Sequence, residues 1–241
     1  MTEALVRARA LGFLPRTVID VGVANGTPEL YDPFPNAHIL LIEPLEEYED
    51  ALQRICQEHD AEYVLATAST NQGTTLIHVH SDLFGSSLLR EIEGSHADGV
   101  GREVPTVRID DLCRERNLTG PFLIKIDVQG AELMVLEGAT ETLRETEYVI
   151  LEVSLFGTLM GGPQLHEAVA FMKQRGFVVY DLFGGLRRPL DGALAQLDIA
   201  FVKDQGPFRT SHAYATPEQR RKLLEKAQAQ RSASARDRRR R

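Results

Sequence analysis

The segment TVIDVGVANGT, residues 17–27, constrains the fold more than any other part of the chain. It opens with a short apolar run closed by Asp20 and then places small residues at every second position: Gly22, Ala24 and Gly26. Residues 27–29, TPE, then supply a hydroxyl, a proline and an acid where a helix N-terminus favours them. A strand, a glycine-rich turn and a helix in this order open a nucleotide-type α/β unit.

The spacing of this loop is D-x-G-x-A-x-G, which differs from the G-x-G-x-x-G of dinucleotide sites. A dinucleotide loop holds a pyrophosphate, whereas an acid just before the first glycine suits a ligand with a positive charge and an amino-acid end. S-adenosylmethionine (SAM) is such a ligand. A tight strand-to-helix turn that binds nothing is the alternative interpretation, because glycine loops are common.

Apolar runs alternate with helical patterns along the chain. HILLIE (38–43), FLIKID (122–127) and YVILEV (148–153) are continuous runs, which are typical of parallel strands buried on both faces. We therefore predict an α/β fold with a doubly wound, mostly parallel sheet. Residues 177–182 and 197–203 are predicted to complete it as antiparallel neighbours, and residues 62–68 and 74–80 are predicted to form a hairpin.

Acids stand at the carboxyl ends of four predicted strands: Asp20, Glu43, Asp127 and Glu152. Ligands of such sheets bind beyond this edge, so we predict an active site where the four acids meet. Glu43 lies about twenty residues past the glycine loop, where an acid accepts hydrogen bonds from the ribose of NAD or SAM. A solvated glutamate at the end of a strand is the alternative.

Lys125 and Asp127 lie two residues apart on one predicted strand, so their side chains share a face. A lysine inside this apolar run is costly to bury without a partner. We expect Lys125 to pair with an acid, either for structural reasons or to act near the edge. A carboxylate beside it would keep its charge and have a lowered pKa.

The segment 81–101 is rich in Gly, Ser and His and is long enough to be a functional loop. Within it, Ser86 is a candidate site residue, and a helix cap is the alternative role. The scattered residues His78, His80 and His96 are not interpreted as metal ligands. The loops 81–101 and 156–163 are expected to shape the pocket.

Charge is distributed unevenly along the 241 residues. The chain carries a net charge of −8, yet residues 209–241 hold 11 Lys or Arg against 3 Asp or Glu, so residues 1–208 carry −16. An acidic body argues against nucleic-acid binding by the folded domain. Two distant cysteines, and no apolar run long enough for a signal peptide or a membrane span, predict a cytoplasmic protein.

Several blocks, taken in order, resemble the FkbM-type SAM-dependent methyltransferases. They are VIDVGVANGT, LLIEP, VPTVRIDDL, FLIKIDVQGAELMVLEGA, YVILEVS and LDIAFVK, and they extend from about residue 17 to residue 203. The resemblance implies a seven-stranded class I methyltransferase sheet with its last strand antiparallel. It also implies methyl transfer to a hydroxyl of a sugar, a glycan or a secondary metabolite, without naming the acceptor.

The resemblance also implies roles for individual residues. Asp20, Gly22, Ala24 and Gly26, with the neighbouring Asn25, would line the methionine part of SAM, Glu43 would hold the ribose, and Asp127 would meet the reacting centre. A hydroxyl needs a base or a metal to become a good nucleophile. Asp127 is the first candidate to contact that hydroxyl; the supporting candidates are Lys125, Glu152 and His166. No metal site is assigned, although a divalent ion between Asp127 and Glu152 remains an open alternative.

Two other functions remain open at this point: a non-catalytic SAM-fold partner subunit and a Rossmann-type NAD-dependent oxidoreductase. We predict one methyltransferase domain, residues 1–208, that includes an N-terminal helix over residues 3–14. Residues 209–241 are predicted to form a basic helix to about residue 230 and then a disordered end. That end is either incidental or in contact with an anionic partner. The oligomeric state is left open.

Overall fold

The computed structural model describes residues 1–94 and 97–240, with the side chains of residues 232–240 left out of the description. The strands, in chain order, are β1 (Thr17–Val21), β2 (His38–Glu43), β3 (Ala61–Leu65), β4 (Thr67–Ala68), β5 (Gly73–Val79), β6 (Val100–Val107), β7 (Phe122–Ile126), β8 (Thr146–Ser154), β9 (Phe177–Arg187) and β10 (Leu194–Lys203). The helices are α1 (Thr2–Ala10), α2 (Pro28–Tyr31), α3 (Glu49–Glu58), α4 (Ile109–Glu115), α5 (Glu132–Glu137), α6 (Leu165–Gln174) and α7 (Pro217–Arg240). His96, one of the scattered histidines, lies outside the described residues.

Seven strands form the main sheet in the order β3-β2-β1-β7-β8-β10-β9. Neighbouring strands run parallel from β3 to β8, whereas β10 is antiparallel to both β8 and β9. The predicted seven-stranded sheet, in which the last strand of the chain is antiparallel, is confirmed. The order reverses beside β1, which is the point where α/β sheets bind ligands.

The central strands form because their residues are apolar on both faces. Every residue of β1 and β7 is buried, and so are the last five residues of β2. Their side chains contribute to one hydrophobic core cluster, which includes Ile19, Ile42, Ile124 and Leu151. Burial on both sides fixes the register of these strands, and the register in turn fixes the carboxyl edge.

A second sheet corrects the prediction for residues 62–80. The chain leaves the main sheet at Ala66, and β4 then joins a three-stranded sheet of order β4-β6-β5. The predicted hairpin is wrong, because β5 pairs antiparallel with β6 instead of with the preceding strand. The predicted loop 81–101 is correspondingly shorter, since β6 begins at Val100.

The N-terminal helix is shorter than the predicted span of residues 3–14. Helix α1 ends at Ala10, because Gly12 follows in the left-handed region with φ of 93° and Pro15 comes soon after. Its buried residues are Ala4, Leu5 and Ala8. The second helix is brief, as its prolines predicted, and covers four residues.

The chain divides into two compact units, Met1–Gly206 and Pro207–Arg241. In the second unit, helix α7 continues to Arg240 instead of ending near residue 230. The predicted disorder concerns residues whose side chains are not described, and it stays a prediction. Across residues 1–94 and 97–240, no helix has the length and apolarity needed to cross a bilayer.

Candidate active site

Four of the predicted site residues form one row across the sheet. The registers align Val21 with Ile42 on β2 and with Ile126 on β7, and Ile126 with Leu151 on β8. The next residue along each of these strands therefore belongs to the same row: Glu43, Gly22, Asp127 and Glu152. This row, which we call the edge row, brings three carboxyl groups and one glycine to the carboxyl edge of the sheet.

A cavity of about 430 Å³ opens on the edge row. That volume lies within the roughly 300–1,000 Å³ of small-molecule sites. Six of the predicted site residues line the cavity, together with the loop residues 83–88: Gly22, Ala24, Glu43, Ser86, Asp127 and Glu152. Ser86 also fixes its own loop, because its Oγ accepts a hydrogen bond of 3.1 Å from the His80 backbone N–H.

The glycines of the loop after β1 are required by the protein's own packing. Gly22 has φ of +78°, and a Cβ there would lie 1.8 Å from the backbone oxygen of Asp127. Gly26 has φ of +102°, and a Cβ there would lie 2.8 Å from the Cδ1 atom of Ile55. At both positions a side chain would meet protein atoms, and the role of these glycines in lining the methionine part of SAM stays a prediction. Ala24, between them, adopts φ of 48°, which is uncommon for a residue with a side chain.

Glu43 connects the loop to the end of β2. Its Oε2 accepts a hydrogen bond of 3.0 Å from the Ala24 N–H, and its Oε1 accepts one of 3.0 Å from the Leu45 N–H. Burial raises the pKa of Glu43, and these two donors lower it part of the way back. Each carboxylate oxygen keeps a second lone pair, so Glu43 retains the capacity to accept hydrogen bonds from a ligand in the cavity.

Asp20 lies below the edge row. It pairs in register with Lys125, two residues before Asp127, so it stands two positions deeper in the sheet. Its carboxylate is fully buried, accepts a hydrogen bond of 2.5 Å from the Tyr31 hydroxyl, and lies 3.6 Å from the Lys125 Nζ. Burial raises the pKa of Asp20, an effect that Lys125 and Tyr31 reduce. The lowered pKa expected for a carboxyl beside Lys125 is therefore wrong for Asp20.

Lys125 pairs with carboxylates, as its burial in an apolar strand requires. Its Nζ lies 3.3 Å from the Asp127 Oδ2 and 3.6 Å from the Asp20 Oδ1. Burial lowers the pKa of the ammonium, but the two carboxylates outweigh this and raise it above its usual value. Lys125 therefore stays charged beneath the edge row and holds Asp127 in place from below.

Glu152 is the carboxyl group that β8 contributes to the edge row, and its pKa is raised. Burial, followed by the charge of Asp127 and a carboxyl–carboxyl contact with it, raises the pKa of Glu152 to about 8. Asp198 on β10 adds to this effect, and the Gln129 amide opposes it. A carboxyl group that titrates near the working pH is suited to accept a proton in catalysis.

Five predicted site residues do not line the cavity: Asp20, Asn25, Gly26, Lys125 and His166. Asp20 and Lys125 lie beneath the edge row, whereas Asn25 is exposed and Gly26 packs on α3. His166 is exposed in the first turn of α6, because the capping box of that helix starts at Gln164 and turns this position outward. The structure therefore does not bring His166 together with Asp127 and Glu152.

The cavity residues that were not predicted as site residues include Tyr48, Gln129 and Gln196. In the sequence, Tyr48 belongs to an apolar helical face. The two glutamines carry no charge that would indicate a site. Its place in the turn two residues after the strand-end acid Asp127 is a signal that could have indicated Gln129. Across residues 1–94 and 97–240, no group of three or more His, Cys, Asp or Glu side chains is arranged to hold a metal ion.

Comparison with known proteins finds sequence similarity to part of a curated protein and remote similarity to solved structures. A stretch of 51 residues is 47% identical to the 2-O-methyltransferase NoeI of Sinorhizobium fredii, covering 21% of this chain and 21% of that protein. The chain thus aligns with about a fifth of the length of this relative.

Two solved methyltransferases illustrate the structural likenesses. The magnesium protoporphyrin IX methyltransferase ChlM of Synechocystis PCC 6803, with bound SAM, is 10% identical with a TM-score of 0.45, over 84% of this chain and 76% of that chain. The N-methyltransferase NodS of Bradyrhizobium japonicum WM9, with S-adenosylhomocysteine, is 10% identical with a TM-score of 0.47, over 85% and 86%. Because both scores are below 0.5, the fold assignment depends on the strand order and registers described above.

A family model distinguishes the methyltransferase from the oxidoreductase that the sequence left open. The model described as the methyltransferase FkbM domain matches residues 20–179, which include the glycine loop and the whole edge row. This match favours the methyltransferase over the NAD-dependent oxidoreductase. The chain therefore belongs to the FkbM family of SAM-dependent methyltransferases.

Proposed function

We propose that this protein transfers a methyl group to a hydroxyl of a sugar, a glycan or a related secondary metabolite. The observation that carries the proposal is the pairing of Asp127 and Glu152 in one cavity, because a hydroxyl acceptor needs a group that takes its proton. The FkbM family and the partial likeness to a 2-O-methyltransferase support oxygen as the acceptor atom.

The residues of the cavity fit SAM. Glu43 keeps lone pairs for the ribose hydroxyls after serving the loop, and it lies on the cavity wall. The hydroxyl of Tyr48, on the same wall, is buried without a hydrogen-bond partner among the described residues, so it has the capacity to bond a polar ligand atom. We assign the adenosine end to this side and the reacting end to Asp127 and Glu152. When bound, SAM supplies a methyl group already activated on a sulfonium.

Replacing Glu43 by glutamine is expected to weaken SAM binding by about tenfold to a hundredfold. One oxygen of the side chain becomes an NH₂ group, which no longer accepts a hydrogen bond from the loop or the ribose. Calorimetric titration with SAM measures the loss. The exposed neighbour Glu46 provides a matched control, because Glu46→Gln removes the same charge outside the cavity. Equal affinities for both variants would contradict the assignment of Glu43.

Two carboxyl groups have different roles in activating the acceptor hydroxyl. Lys125 holds Asp127 as a charged acceptor, so Asp127 orients the hydroxyl by accepting a hydrogen bond from it. Glu152 then takes the hydroxyl proton, since its raised pKa makes it a stronger base than an ordinary carboxylate. The loop residues 83–88 line the cavity and reduce the space open to water.

The rate of methyl transfer is expected to rise with pH. Glu152 accepts a proton only in its deprotonated form, so below its pKa of about 8 the rate should rise about tenfold per pH unit and then level off. Single-turnover rates between about pH 6 and pH 9.5 measure this profile. Glu152→Gln should lower the rate by about a hundredfold or more and flatten the profile. A wild-type profile that is already flat, or one that Glu152→Gln leaves unchanged, would contradict this role.

The acceptor class is tested with a panel of saccharides and hydroxylated metabolites. We expect a mass increase of one methyl group on at least one saccharide hydroxyl, in the presence of SAM and the full-length protein. Transfer only to amines, or only to carboxyl groups, would refute the proposed acceptor. SAM binding without transfer to any compound would instead favour the non-catalytic partner subunit.

A further inference from the structure

Gln129 lies between the two carboxyl groups of the proposed active site. Its side-chain Nε2 donates a hydrogen bond of 3.1 Å to the Asp127 Oδ1 and one of 2.7 Å to the Glu152 Oε2. A primary amide has two N–H hydrogens, so both are used by these carboxyl groups. One neutral nitrogen therefore bridges groups from two adjacent strands.

A second amide fixes the orientation of the first. The Gln196 Nε2 donates to the Gln129 Oε1 at 3.1 Å and to the Glu152 Oε2 at 3.2 Å. If the Gln129 amide were flipped, its oxygen would face two carboxyl groups and its nitrogen would face another N–H donor. The network therefore directs the Gln129 nitrogen toward the carboxyl groups.

The backbone of Gln129 is held in an unusual conformation. Its φ is +53°, in the left-handed region that costs a residue with a side chain free energy. Its carbonyl oxygen accepts a hydrogen bond of 2.6 Å from the hydroxyl of Ser87, which is itself buried. The cavity loop thus holds the turn that aims the Gln129 side chain.

The carboxyl groups of the edge row require such a bridge. Like charges at close range repel, and Asp198 adds a further carboxyl group beside Glu152. The described ion pairs of Lys125 reach Asp127 and the deeper Asp20, and they do not reach Glu152. Divalent cations commonly satisfy paired carboxylates by lying between them. Here the Gln129 nitrogen lies between them.

We propose that Gln129 is a positioning residue whose amide takes the place of a cation between Asp127 and Glu152, so that the site works without a divalent metal. The inference rests on the proposed roles of Asp127 and Glu152. It has a direct consequence for Gln129→Glu, which keeps the shape of the side chain and turns the bridge into a third carboxylate. Three convergent carboxylates form a site for a hard divalent cation.

Manganese binding tests the proposal without any need for the methyl acceptor. Full-length wild-type protein, Gln129→Glu and the control Gln57→Glu are titrated with Mn²⁺, and the free ion is followed by electron paramagnetic resonance. Gln57 is exposed on α3 and outside the cavity, so the control adds the same charge elsewhere. We expect Gln129→Glu to bind one Mn²⁺ at least about tenfold more tightly than the wild type and the control do.

Two outcomes would overturn the proposal. One is specific Mn²⁺ binding by the wild type that Asp127→Asn removes, because the bridge would then already accept a metal. The other is a folded Gln129→Glu, verified by circular dichroism and SAM calorimetry, that binds Mn²⁺ no better than the control. If Gln129→Glu does not fold, the wild-type titration still decides, since the amide bridge requires the wild type to lack this site. A failure to methylate saccharides would leave both readouts unaffected.

Discussion

Replacing Asp127 by asparagine is expected to lower the rate of methyl transfer by about a thousandfold while SAM affinity changes by less than about tenfold. Asparagine keeps the shape of the side chain but removes the charge that orients the acceptor hydroxyl. It also leaves the buried Lys125 with Asp20 as its remaining ion-pair partner among the described residues. Single-turnover rates on the best saccharide of the panel, with SAM calorimetry on the same samples, measure both effects.

The control for this experiment is Asp50→Asn, since Asp50 is exposed on α3 and does not line the cavity. It should transfer methyl groups at the wild-type rate. If Asp127→Asn turns over normally while it still binds SAM, then Asp127 does not contact the acceptor. A parallel loss of SAM affinity and rate would instead place Asp127 in cofactor binding.

Replacing Gly22 by alanine is expected to lower the free energy of unfolding by about 4 kcal/mol. The new Cβ would lie 1.8 Å from the Asp127 backbone oxygen, at a φ of +78° that alanine adopts unfavourably. Strands β1 and β7 would have to separate at the edge row. For a chain of this size the loss corresponds to a lower Tm of about 8–16 °C, which thermal denaturation measures.

Gly176→Ala is the control that measures the backbone strain of a left-handed alanine without a steric clash. Gly176 has nearly the same φ, +80°, yet nothing lies within 4 Å of the position where its Cβ would be. Its substitution should therefore cost only the strain of the left-handed region, about 1 kcal/mol. If both substitutions cost the same, the close approach of the Asp127 carbonyl to Gly22 is not what requires a glycine there.

The main sheet was predictable because its central strands are apolar on both faces. The limits of β2 agree with the predicted run of residues 38–43, which an acid ends. The second sheet was not predictable in the same way, because β5 pairs with β6 across a long loop. That pairing depends on tertiary contacts, and the turn at residues 71–73 suggested a local hairpin instead.

The edge row was predictable only in part. Glu43, Asp127 and Glu152 were expected to share the carboxyl edge, and the registers place them in one row. Asp20 was expected there too, but it precedes the end of its strand by one residue and lies two positions deeper. Sequence patterns locate the end of a strand, whereas the depth of a side chain depends on how neighbouring strands align.

The contact between the two bridging amides could not be predicted from the sequence. Gln129 and Gln196 are 67 residues apart and meet only because β10 returns beside β8. Neither residue type indicates chemistry by itself. Their role depends on their hydrogen bonds to Asp127 and Glu152, and these contacts are known only from the folded structure.

A crystal structure with S-adenosylhomocysteine tests the central claim most directly. That claim is that one cavity on the edge row seats the cofactor between Glu43 and the pair formed by Asp127 and Glu152. We expect the ribose hydroxyls within hydrogen-bonding distance of Glu43 and the sulfur atom on the side of Asp127. A ligand bound outside this cavity, or one with its adenosine beside Asp127 and its sulfur beside Tyr48, would contradict it.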